Sequence, residues 1–117
     1  MRIGIDAMGG DHAPAEPVAG AIAAREMLKE GDRIVLFGDE KVILEKLAAA
    51  PDWAQWIDVV HAPENISMSE SPVVALRQKP NSSIAVMAHM HAEGKIDACI
   101  SAGNTGACVA ASQMRLR

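Results

Sequence analysis

Tyrosine is absent from this 117-residue sequence, and the remaining aromatics are Phe37, Trp53 and Trp56. A core must therefore be assembled from Ala, Val, Ile, Leu and Met. Nucleic-acid recognition relies on a basic face and, for single strands, on aromatic stacking platforms. A net charge of −4 and so few rings argue against that class of partner. Cysteine is scarce as well: Cys99 and Cys108 are too few for a disulfide framework and are expected to be reduced, with Cys99 in a buried strand. No run of eighteen apolar residues exists, so no membrane span is expected, and the chain opens on a charged residue and a strand rather than on a secretory leader. Internal repeats and low-complexity segments are missing too.

What is present is an ordinary globular composition, 50% hydrophobic and 22% charged. The length suits one domain that buries about two-thirds of its unfolded surface. Short apolar runs alternate with helical periodicity. Strands are predicted at residues 2–5, 33–38, 57–61 and 96–100. Helices are predicted at 15–30, 40–50, 73–78 and 83–93, with another from 107. Helix 15–30 would place Val18, Ala19, Ile22, Ala23 and Met27 on one apolar face, and helix 40–50 would do so with Val42, Ile43, Leu44 and Leu47. Asp39 is the expected N-cap of the second helix, and Asn81 or Ser82 that of helix 83–93. Residues 62–72 read as a long loop, and the connector carrying Trp53 and Trp56 has no readable periodicity. Strands alternating with helices specify an α/β fold, a mostly parallel sheet with helices on both faces.

Two glycine turns carry the chemistry. The first, Ile5-Asp6-Ala7-Met8-Gly9-Gly10-Asp11-His12-Ala13-Pro14, joins the first strand to the first helix. The second, Ser101-Ala102-Gly103-Asn104-Thr105-Gly106, follows the fourth strand in the same way. Gly9 and Gly10 leave no Cβ between main chain and ligand, and successive N–H groups ahead of a helix form an anion-binding concavity. Neither turn matches a dinucleotide fingerprint or a P-loop. A small anion, phosphate first, is the ligand such turns suit, and they share a crevice if their strands are neighbours.

Asp6, Asp11 and His12 would orient a ligand, hold Mg²⁺ or move a proton. The plain alternative is a tight turn with Asp11 and His12 solvated or capping. Lys79, Ser82 and Ser83 suit a phosphate at a helix start, or else are a serine cap beside a solvated lysine. Glu64, Asn65, Ser67, Ser69 and Glu70 either reach the same crevice or form a solvated loop. His89 and His91 point to different faces and do not chelate together, and His61 has no evident partner.

These residues resemble the bacterial phosphate acyltransferases of phospholipid synthesis, the PlsX family. The opening motif at 5–14 is followed in the family's order by Ile66-Ser67-Met68 with Glu70-Ser71-Pro72, by Lys79 through Ser82-Ser83, and by Ser101–Gly106. The resemblance implies a three-layer α/β/α sandwich, similar to the isocitrate dehydrogenase and phosphotransacetylase type. It implies transfer of a long-chain acyl group from acyl carrier protein to inorganic phosphate. It further implies a cytoplasmic homodimer, peripheral membrane association through parts outside this sequence, and no organic cofactor; no metal ligand is assigned. On the matched positions, Asp11, His12 and Asn104 would be catalytic. Asp6, Gly9, Gly10, Lys79, Ser82, Ser101, Gly103, Thr105 and Gly106 would bind substrate. Members of the family run far past residue 117, so the chain is expected to be the N-terminal part of a longer, truncated domain. Two other readings stay open: a short-chain phosphotransacetylase, and a non-catalytic phosphate-binding or dimerisation fragment.

Overall fold

The structure is a computed structural model that describes residues 1–67, 69–103, 106, 107 and 110. Four strands form one parallel sheet: β1 (Arg2–Asp6), β2 (Arg33–Gly38), β3 (Ile57–His61) and β4 (Ala98–Ile100), in the spatial order β3-β2-β1-β4. Helices α1 (Ala15–Ala23) and α2 (Glu40–Leu47) connect the first three strands, while α3 (Pro72–Gln78) and α4 (Ser83–Ala92) carry the chain from β3 back across to β4.

Strand alternation sorts the side chains into two cores. Ile34, Leu36 and Ile57 pack with Val18 and Ala21 of α1 and Ile43 and Leu47 of α2. Val35 and Phe37 point the other way, into Leu76 of α3 and Ile84, Met87 and Ala88 of α4. The result is the expected three-layer α/β/α arrangement. On the α4 side β1 offers Gly4, whose absent Cβ leaves room for Ile96, Phe37 and Met87. The sheet grows in one direction from β1 to β3 and then reverses, so β1 and β4 flank a topological switch point, the place where open α/β sheets hold ligands.

Several boundaries differ from the sequence reading. α1 stops at Ala23 and tightens into a 3₁₀ turn, Ala24–Met27, which delivers Leu28 to the core. Met27 is thereby 83% exposed, and Ala19 and Ala23 also face out. α2 ends at Leu47, three residues early, because a turn from Leu47 to Ala50 leads into Pro51; its buried pair is Ile43 and Leu47, with Leu44 exposed. Cys99 is exposed rather than buried, on β4, an outermost strand of the four described. Cys108 and the expected helix beyond it lie outside the described residues, apart from Gly106, Ala107 and Ala110.

Asp39 caps α2 as expected, accepting from the N–H groups of Lys41 and Val42, and Ser82 rather than Asn81 caps α4. The tryptophan connector is a 3₁₀ turn, Trp53–Gln55, that buries Trp56 and lets its indole N–H donate to the Ala21 carbonyl at 3.0 Å.

Candidate functional site

Asp6 closes β1 and is 4% exposed, on the face that α4 covers. A buried carboxylate must be hydrogen-bonded, and this one is. Its Oδ1 accepts from the Met8 N–H at 3.0 Å and from the Ser83 hydroxyl at 2.5 Å, and its Oδ2 accepts from the Ser101 hydroxyl at 2.9 Å. Ser101 in turn accepts from the Gly103 N–H at 3.2 Å. One side chain therefore ties together the first glycine turn, the start of α4 and the second glycine turn.

The two turns touch through their glycines. A Cβ built on Gly9 would lie 2.8 Å from the Gly103 nitrogen and 2.9 Å from Asp6 Oδ2, and one on Gly103 would lie 3.3 Å from the Gly9 Cα. Gly10 has φ +94°, a left-handed conformation that glycine adopts without cost. Its N–H and those of Asp11 and His12 make no hydrogen bond to any described residue. Three successive donors without a partner among the described residues lie at the rim of the sheet, ahead of the N-terminus of α1, the arrangement of a candidate main-chain anion cradle. Asp11 and His12 are exposed beside it.

Not every candidate converges on that cradle. Lys79 donates from Nζ to Glu70 at 2.6 Å and to the Asn65 carbonyl at 2.8 Å, which clasps the 62–72 loop to the α3–α4 turn. Ser82 is fully buried, its hydroxyl accepting from the Ala85 N–H. Main-chain bonds between Glu64 and residues 81–83 complete the clasp. The loop is fastened, and of its polar residues Asn65 reaches a small recess beside Asp6 and Ser83. Ser83, not Ser82, carries this segment to the site. Its signal in the sequence was the doubled serine at the helix start, but which hydroxyl turns inward depends on the packing of α4. Gly106 is exposed, and Asn104 and Thr105 lie outside the described residues. His61 gains a partner: its Nδ1 accepts from the Glu40 N–H at 3.1 Å. No group of three His, Cys, Asp or Glu among the described residues is placed to hold a metal ion. No described helix is long and apolar enough to cross a membrane.

The clasp makes a pH prediction. The Lys79 ammonium hydrogen-bonded to Glu70 holds that carboxyl below the usual range, with the Ser67 N–H assisting. Asp32 beside the chain's terminal ammonium and Asp97 beside the Arg2 N–H are lowered likewise. A carboxylate whose folded value is depressed stabilises the fold above its unfolded value, and that contribution is lost as pH falls through the folded one. The thermal midpoint should hold from neutrality down to about pH 5 and drop below about pH 4. Glu70→Gln should lower the neutral-pH midpoint and make the acid drop smaller; an acid drop as large as in the unaltered protein would exclude this pair as a source.

The model of the family described as "Fatty acid synthesis protein" matches residues 1–117. Among curated relatives, the phosphate acyltransferase of Gloeobacter violaceus is 46% identical over 116 residues, 99% of this chain and 33% of the relative. That of Herpetosiphon aurantiacus is 48% identical over 110 residues, 94% and 29% of the two chains. That of Geobacillus thermodenitrificans is 50% identical over 111 residues, 95% and 32%. The chain spans about a third of the length of these relatives. A match that runs through every residue, both glycine turns included, makes this chain a member of the fatty acid synthesis protein family.

Proposed function

We propose that this chain is the N-terminal part of a cytoplasmic, homodimeric enzyme that transfers a long-chain acyl group from acyl carrier protein to inorganic phosphate. The observation that carries the reading is the cradle at residues 10–12, held against the Ala102–Gly103 turn at the switch point of the sheet. The names of the relatives, phosphate acyltransferase, support the same chemistry.

Phosphate is itself the nucleophile. One of its oxygens attacks the thioester carbonyl, the carbonyl electrons pass to oxygen, and collapse of the tetrahedral oxyanion breaks the C–S bond. The thiolate leaves readily because a free thiol has a pKa of about 8.5, and acyl phosphate is the product. No covalent enzyme intermediate is needed. The protein has to hold phosphate near the carbonyl and offer donors to the oxyanion. Main-chain N–H groups of the first turn hold the anion, Asp11 and His12 orient it or take its proton, and Asn104 and Thr105 donate from the second turn.

The test replaces the matching third of the Gloeobacter violaceus relative with this chain and follows thiol release. Phosphate-dependent release from a long-chain acyl carrier protein thioester is expected, and Asn104→Ala should slow it about tenfold or more without loss of fold. An unchanged rate in that variant removes Asn104 from the mechanism. Preference for acetyl-CoA would make the protein a short-chain phosphotransacetylase, and phosphate binding without transfer would make it a binding module.

A further inference from the structure

On the α1 side of the sheet, next to the cradle, lies a trough of about 500 Å³. Ile5 and Ile100, cross-strand partners in β1 and β4, form its floor, and Pro17, Gly20 and Ala21 of α1 form its wall. Gly9 through His12 line it too, with Asp6 and Glu16, so the polar cradle and an apolar stretch share one trough. Ile100 is 56% exposed there, a large apolar side chain left open by the described residues.

The path of the chain explains why the next helix leaves this face open. The sheet reverses direction between β3 and β4, and Ala107 and Ala110, past β4, pack into the core on the α3–α4 side. Parallel crossovers are right-handed. A connection leaving β4 over that face leads outward past the β4 edge, as α1 over the opposite face leads outward to β2. The helix that follows β4 therefore does not cover the α1-side surface of β4, which borders the switch-point crevice.

Gly20 is the second observation. It sits inside α1, where glycine weakens a helix relative to alanine. Neither a positive φ nor a close neighbour requires it: a Cβ there would meet no described residue within 4 Å. What its lack of a side chain preserves is the width of the trough.

We propose that this trough receives the hydrocarbon tail of the acyl substrate while the cradle holds the phosphate, and that Gly20 sets how much chain enters. The inference rests on the acyl-transfer reading and names the subsite that reading lacks. The size lies within the usual 300–1,000 Å³ of small-molecule sites, which are mostly apolar with a few placed polar groups. A head of phosphate and a tail of methylenes match its polar and apolar parts.

The experiment is calorimetric titration of the 117-residue chain with n-alkylphosphonates from butyl to hexadecyl, each below its micellar concentration. Affinity should rise about three- to fourfold per methylene and level off once the trough is full. Gly20→Leu should abolish most of that rise and leave butylphosphonate within about twofold. Leucine is a good helix former, so the variant should melt no lower than the parent. Ile100→Ser, a neutral polar change at a floor position already exposed, should also weaken the long ligands selectively. Affinity independent of chain length, or variants that affect all lengths equally or none, would overturn the proposal. Butylphosphonate binding without a length dependence would leave the phosphate cradle standing and remove the trough. A length dependence sensitive to Gly20, in a chain whose chimaera with the Gloeobacter relative shows no phosphate-dependent thiol release, would keep the trough and remove the acyl-transfer reading.

Discussion

Asp6→Ala is expected to lower the unfolding free energy by about 3 kcal/mol, a large part of the roughly 5–15 kcal/mol that a domain possesses. The carboxylate is buried and accepts from one main-chain N–H and two hydroxyls. Truncation removes three charge-assisted bonds at once and strands their donors away from water. Relief from desolvating the carboxylate offsets part of this cost but not all. Asp6→Asn supplies the control. Its amide oxygen can still accept from Met8 and Ser83, and its NH₂ can donate to the Ser101 hydroxyl, so the loss should be about 1 kcal/mol. In urea the alanine variant should shift the midpoint by roughly 2 M for an ordinary slope. An alanine variant as stable as the asparagine one would mean that Asp6 does not fasten the two turns to α4.

That role also marks where the sequence was readable and where it was not. Asp6, Ser101 and the glycines were all recognisable as residues of strand-to-helix turns, because small and polar residues at those positions have few other uses. The parallel order was equally plain in the alternation of strands and helices. The orientation of Asp6 was not. It follows from Gly4 and Asp6 sharing a face and from α4 crossing over that face, which depends on where the sheet reverses. Local pattern holds no record of that reversal.

Lys79 shows the same limit. Its partner Glu70 lies nine residues back across an aperiodic loop, so only the closed loop reveals the ion pair. Exposure of Cys99 has a related origin, since an apolar run announces a strand but not its place in the sheet. The short α1 reflects competition that periodicity cannot weigh: Leu28 gains more by entering the core than Met27 does by staying on a longer helix.

The touching of the two turns sets the last expectation, a graded one. Gly9→Ala would drive a methyl group to 2.8 Å from the Gly103 nitrogen and 2.9 Å from the Asp6 carboxylate. Neither neighbour can rotate aside: one is main chain, and the other is held by three hydrogen bonds. The turns must part, at a stability cost of about 1–3 kcal/mol. Misplacing a reacting group by about 1 Å costs roughly 10²-fold in rate, and phosphate-dependent thiol release by the chimaera should fall by about that factor. Gly103→Ala meets the Gly9 Cα at 3.3 Å and Asp6 Oδ2 and the Ser101 hydroxyl at 3.4 Å, contacts that a few tenths of an ångström relieve. Its rate should fall about tenfold at most. The order matters more than either value, because it follows from the gap between the turns. If Gly103→Ala is the more damaging change, or if both leave the rate untouched, contact between the two turns is not what aligns phosphate with the thioester.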